Sequence, residues 1–457
     1  MVIIPIILCS CISKDLFLPY NGVIYDGGYF KVMVQQIEIA MVVFCRRFYC
    51  GIGRYTILKL DRSKDGRLQY KMTNSRSTAK IGLLFSETGA TSIVENSQRK
   101  GALLAINQIN ESGGVLGRQL EVLSCDSASD ATAFFENANY LLDMECVALF
   151  GCYMSSSRKA VLPVVEKRNS LLFYPTLYEG FEFSRNCIYT GASPNQSASV
   201  LANFLTRNFK SNYVFVGSDY VFPYEINRIM LDLLTSQGAI VKEEIYIPLN
   251  ATDDEIIRVV KKVKQLGEVI VFSSVVGDAA ITFAREYHAA GFNQELTPVV
   301  SLTFSEIDAK ETGGKVSNGY IRVAPYFSET ANVANKKFVD EFKIQYGPDE
   351  AISAETEAAY SQMWIFAEAV ERAGSFDFKN IINSISTFTI EAPQGPIQVE
   401  KNSQHTYIWP KIAICNEHGK FEIVEESKLR IKPDPYMINY DSAKDVLTDM
   451  YSVRGVV

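Results

Sequence analysis

Four short segments concentrate tyrosine, serine and threonine where an apolar run gives way to a polar one. They are Gly151-Cys152-Tyr153-Met154-Ser155-Ser156-Ser157, Tyr174-Pro175-Thr176-Leu177-Tyr178-Glu179-Gly180, Gly217-Ser218-Asp219-Tyr220-Val221-Phe222-Pro223-Tyr224 and Ala324-Pro325-Tyr326-Phe327-Ser328. A tyrosine offers a flat apolar wall and a phenol that donates or accepts, so such a set can grip a small neutral polar molecule without a formal charge. The three serines lead into Arg158-Lys159-Ala160-Val161-Leu162-Pro163, a helical stretch. Its first-turn N–H groups suit a carbonyl oxygen or an anion. A capping role for Ser155 or Ser156, and plain packing for any one tyrosine, are the ordinary alternatives.

Catalytic chemistry finds little to stand on. The chain has no Gly-x-Ser-x-Gly elbow, no His-Glu-x-x-His pair and no Gly-x-x-x-x-Gly-Lys-Ser/Thr loop. The histidines are His288, His405 and His418, the last two in a polar, turn-rich tail. The carboxylate pairs Glu87 with Glu95 and Glu355 with Glu357 read as exposed helix ends. No metal-ligand spacing occurs, so no catalytic residue, metal or cofactor is expected. A net charge of -7 argues against a hold on nucleic acid, which needs clustered Lys and Arg.

The elements that must position these segments follow from Lys80 onward. Short apolar runs at 81–85, 120–124, 147–150, 170–174, 212–216, 239–247, 269–273, 298–302 and 319–323 read as strands. Amphipathic stretches between them read as helices, among them 92–110, 131–143, 156–168, 196–208, 225–237, 253–266, 278–290, 334–346 and 354–373. Gly113, Gly238, Gly267, Gly291 and Gly374 stand where five of these should stop. Such alternation predicts an α/β fold of parallel sheets flanked by helices. A strand-rich change of character over 387–431 suggests a late crossover and two similar lobes.

Residues 1–71 show no clear periodicity. The apolar run 1–13 has no Lys or Arg before Lys14 and is too short to span a bilayer, so it does not read as a secretory signal or a membrane segment. The expectation is a wrongly extended start or an appendage, with the working protein beginning near Met72 in the cytoplasm. A periplasmic protein or surface lipoprotein is the alternative. Of nine cysteines, Cys9, Cys11, Cys45 and Cys50 lie in this stretch, while Cys125, Cys146, Cys152, Cys187 and Cys415 are scattered singly and read as free thiols in a reducing compartment.

Taken in order, these segments resemble the amide-binding negative regulator of aliphatic amidase operons, a relative of the periplasmic binding proteins for branched-chain amino acids and urea. The likeness runs from Ile81-Gly82-Leu83-Leu84-Phe85-Ser86-Glu87-Thr88-Gly89 through the four segments, Val275-Val276-Gly277, Ser301-Leu302-Thr303 and Ala392-Pro393-Gln394-Gly395-Pro396 to Pro433-Asp434-Pro435-Tyr436. It implies a type I periplasmic-binding-protein clamshell with three hinge crossings. An extension over 1–78 would precede a first lobe from 79–190 plus 328–397 and a second from 191–327 plus 398–445.

Carried over residue by residue, the ligand would lie among Tyr153, Ser155, Tyr174, Thr176 and Tyr220, with Thr303 and Tyr326 from the other side. Leu177 stands where the regulator usually has proline, and Phe304 where it has a second threonine. The implied function is a sensor of short aliphatic amides that controls amidase expression through an antitermination regulator. The alternative is the substrate-binding component of an ABC transporter for urea, short amides or branched-chain amino acids. In an amino-acid binder, Asp219 or Glu179 would hold the ammonium group. Self-association into a homo-oligomer is open.

Overall fold

The computed structural model describes residues 54–62, 68–76, 78–209, 212–294, 296–438 and 451–453. The run 1–13 and the first four cysteines lie outside the described residues, as do residues 439–445 of the expected second lobe. Strands β1 (Arg54–Arg62) and β2 (Leu68–Arg76) pair antiparallel, which corrects the expectation of no regular element before Lys71. The overlooked signal was local: two runs that include Tyr, Thr, Ile and Leu flank an Asp65-Gly66 pair, a strong hairpin cue.

The first lobe is a five-stranded parallel sheet of β3 (Thr78–Leu84), β4 (Gln119–Ser124), β5 (Leu149–Gly151), β6 (Leu172–Tyr174) and β7 (Cys187–Tyr189), in the order β4-β3-β5-β6-β7. Successive side chains of a strand face opposite ways. Ile81, Leu83 and the following Phe85 accordingly enter the core beneath helices Ser92–Glu111 and Ala354–Ala373. Leu84 enters the opposite core, beneath Ala131–Asp143 and Ser155–Arg168. Gly82 shares that side because a Cβ there would lie 2.6 Å from Leu149 Cδ2.

The second lobe is built on β8 (Asn212–Ser218), β9 (Ile240–Ile247), β10 (Ile270–Ser274), β11 (Val299–Ser301) and β12 (Ile321–Ala324), all parallel. After β12 in chain order come β13 (Ile390–Ala392), β14 (Gly395–Val399) and β15 (Thr406–Tyr407), an antiparallel set. Then β16 (Lys411–Cys415), β17 (Phe421–Ser427) and β18 (Tyr451–Val453) extend the second sheet antiparallel, giving β18-β17-β16-β12-β11-β10-β8-β9.

The chain crosses between lobes after Tyr189, after Ala324 and between Tyr407 and Lys411. The last crossing falls later than the expected boundary after 397. Ile397 and Val399 of β14 sit in the first lobe's core, and His405 bridges to Tyr189 on the edge strand β7, so 398–407 stay with lobe one. The five later cysteines form no disulfide. Four are buried and Cys125 is half-buried, as expected of thiols packing as small apolar groups.

Candidate functional site

Strand β5 ends at Gly151, whose φ of +145° would place a Cβ 2.2 Å from the Leu84 carbonyl oxygen. Only glycine lets the chain turn here into Cys152-Tyr153-Met154 and the helix Ser155–Arg168. Met154, not a serine, is the N-cap, and no side chain caps that helix. Ser155 donates instead to Glu179 at 2.5 Å, and Ser157 to the Met154 carbonyl at 2.7 Å. The first-turn N–H groups are thus left without an intrahelical acceptor.

The second segment is bound to the first. Tyr174 donates to the Tyr153 carbonyl at 2.8 Å, and Thr176 to the Cys152 carbonyl at 3.3 Å while accepting from Gln98 Nε2 at 3.0 Å. Beneath them Arg158, fully buried, donates to Glu179 at 2.9 Å and Glu182 at 2.8 Å, and Lys159 reaches Glu182 at 2.9 Å. The guanidinium lies 4.8 Å from the Tyr174 ring centre and 4.6 Å from that of Tyr178. Burial works upward on Glu182, but Arg158 and Lys159 outweigh it and hold its carboxyl below the usual range. Two cations and two carboxylates leave this floor neutral.

From the second lobe, Tyr220 and Val276 pack with Val94, Tyr153 and Met154 of the first, and the Asp278 N–H reaches the Ala90 carbonyl at 3.3 Å. The lobes are therefore in contact across the cleft. Burial first, and neighbouring negative groups second, push the phenols of Tyr153 and Tyr220 well above their usual range. Both stay neutral donors. Thr303 follows β11 and donates to the Val275 carbonyl at 3.3 Å, beside Val276.

Four of the seven expected residues, Tyr153, Ser155, Tyr174 and Thr176, thus gather on one wall, and Tyr220 and Thr303 approach from the second lobe. Tyr326 does not join them. Its ring is buried against Phe338 and its hydroxyl is committed to Asn335 at 2.8 Å. Of the two departures from the resemblance, Phe304 turns into the second lobe's core against Tyr320. Leu177 faces a cavity shared with Pro175, Leu302, Arg322, Pro325, Glu355 and Ala358.

The carboxylates read as exposed helix ends need correction. Glu87 is exposed, but Glu95, Glu355 and Glu357 are buried. Glu95 accepts from the Ser86 N–H and Thr91, and Glu357 from Ser361 and Gln394. Desolvation raises both to about 7. Glu355 pairs with Arg322 at 2.5 Å across the lobes, and Glu306 joins the same guanidinium at 3.3 Å. Sequence periodicity missed this cluster because nothing local marks β12's Arg322 as facing a helix end of the other lobe.

Neither residue suggested for an ammonium group is poised for it. Both Glu179 oxygens are engaged, one by Arg158 and one by Ser155. Asp219 is exposed and accepts from Tyr224 at 2.9 Å. His405 contacts Tyr178 through Nε2 at 2.6 Å, and burial takes it down to about 3. Among the described residues no group of three or more His, Cys, Asp or Glu is placed to hold a metal, and no helix is long and apolar enough to cross a membrane.

The sequence profile of the periplasmic binding protein domain matches residues 79–442. The chain belongs to the periplasmic binding protein family. A leucine-, isoleucine-, valine-, threonine- and alanine-binding protein of Pseudomonas aeruginosa is 26% identical to this family member over 366 residues, 77% of this chain and 95% of that protein. A protein named limonene hydroxylase from Geobacillus stearothermophilus is 33% identical over 146 residues, 32% of this chain and 27% of its own length. A solute-binding protein of an ABC transporter from R. palustris, solved with benzoate, superposes with a TM-score of 0.69 at 17% identity, covering 76% of this chain and 96% of that one. The type I clamshell and a ligand-binding role stand on these matches. The cytoplasmic location does not: a periplasmic binding protein domain and these binding-protein relatives overturn it.

Proposed function

We propose that this chain is the substrate-binding component of an ABC-type uptake system, exported from the cytoplasm, whose lobes close over a small uncharged polar molecule of the amide or urea kind. The observation that carries this reading is the state of Glu179. A carboxylate at the foot of the tyrosine wall is already bonded to Arg158 and Ser155, so the wall offers neutral hydroxyls and helix N–H groups rather than a counter-charge for an ammonium group.

A branched-chain amino acid is the second reading. It is favoured by the Pseudomonas relative's stated ligands and by the helix N-terminus at Ser155, which suits a carboxylate. Calorimetric titration with short amides, urea and leucine separates the two. An antitermination regulator as partner rests on the resemblance alone. In the transport reading a membrane permease takes that place, and fractionation of cells expressing the native gene tests export, since recovery of the protein in the cytosol alone would end it.

A further inference from the structure

Arg322 on β12 and Glu355 in the first turn of Ala354–Ala373 come from different lobes and are 1% and 3% exposed. Arg322 Nη2 donates to one Glu355 oxygen and Nη1 to Glu306. Yet Arg322 Nε, the second Glu355 oxygen, Oε2, and the second Glu306 oxygen, Oε1, have no partner, and of these three residues Arg322 and Glu355 line a cavity. Leaving a buried polar atom unpaired is costly, and more so for a charged group, so these orphaned atoms need a reason. Both residues line the cavity that also takes Leu177, Leu302 and Ala358. Pro175 and Leu177, on either side of Thr176, line it too, and Glu355 and Arg322 stand close enough to Tyr153 to bear on its phenol, so the cavity borders the tyrosine wall.

In that cavity an N–H donor of Arg322 beside a carboxylate acceptor of Glu355 is the complement of a primary carboxamide or urea, whose carbonyl accepts and whose amino group donates. We propose that Arg322 and Glu355 are the specificity-determining pair of the site, with Arg322 Nε holding the ligand's carbonyl oxygen and Glu355 Oε2 its amino group. A carboxylate is rejected there. The single guanidinium already serves Glu306 and Glu355, and Asp308 stands close enough to bear on it, so an added anion meets a surplus of acceptors, with Arg322 the one cation among the residues that line the cavity. Leu177, Leu302 and Ala358 give the cavity an apolar side. Because the pair spans both lobes, a ligand that completes it also favours closure.

This inference rests on the proposed function, and one set of titrations separates their failures. The full chain and the Glu355→Gln variant are titrated with acetamide and with acetate, its near-isosteric anion. The wild type is expected to bind acetamide and not acetate, and Glu355→Gln to lose at least tenfold in acetamide affinity while admitting acetate. If Glu355→Gln does not fold, as judged by circular dichroism, Ala358→Leu fills the same cavity without touching a charge and is expected to abolish acetamide binding. Unchanged acetamide affinity in either folded variant overturns the pair's role and leaves the amide reading standing. Wild-type protein that takes acetate, leucine or benzoate and no neutral probe overturns both.

Discussion

Arg158 and Glu179 form a salt bridge of 2.9 Å with both side chains buried, and it sets the character of the site above it. Glu179 spends its other oxygen on Ser155, the first residue of the helix that faces the cleft. The bond therefore removes a charge from the wall and fixes the start of a helix at once. Replacing Arg158 by Met should leave Glu179 and Glu182 buried without their main cation and cost roughly 3–5 kcal/mol in denaturant unfolding. Adding Glu179→Gln to that variant should recover part of the loss, because the uncompensated charge goes with it.

Tyr153 and Tyr220 come from different lobes and share one apolar cluster. If their phenols bond the ligand, Phe at either position should weaken binding by about 1 kcal/mol with little change in melting temperature. Tyr174→Phe differs, because that hydroxyl holds the Tyr153 carbonyl. It should lower stability as well as affinity, which thermal melts with and without ligand resolve.

Glu357 is buried and raised to about 7 by desolvation. A carboxyl raised in the folded state stabilises fully below its unfolded value near 4.5 and loses that contribution as pH climbs through 7. Glu95 and Glu306, also near 7, and Asp308, near 6, act in the same direction. Wild-type stability from these groups should thus fall between about pH 4.5 and 7, with Glu357 accounting for on the order of 3 kcal/mol. Glu357→Gln should flatten that fall, and parallel melting profiles for the two proteins would contradict the assignment.

His405 has the opposite sign. It stacks on Tyr189 at 4.1 Å and sits near 3, far below its unfolded value. Its contribution is complete above pH 6.5 and is lost as pH falls toward 3. His405→Phe should cost about 1 kcal/mol at pH 7 through the lost Tyr178 contact, and should make acid unfolding less steep.

The alternating α/β pattern was legible because each strand carries its own apolar run and each helix its own stop, as at Gly238 and Gly374. The tyrosine wall was legible because Tyr153, Tyr174 and Tyr220 stand at the ends of successive apolar runs. What could not be read was anything set by packing between distant segments. Tyr326 has the same local setting as Tyr220, yet β12 directs it to Asn335. Glu355 looked like an exposed helix start until β12 brought Arg322 against it. The crossing at Tyr407 depends on the edge pairing of His405 with Tyr189, which no local signal announces.

The most direct test of a neutral-ligand site is calorimetric titration of the purified full chain with propionamide, urea, leucine and benzoate in turn. Binding of propionamide or urea, with neither leucine nor benzoate giving heat, is the predicted result. Tight binding of leucine or benzoate, with no response to either neutral molecule, would contradict it and show that the cleft finds a charged partner for its ligand after all.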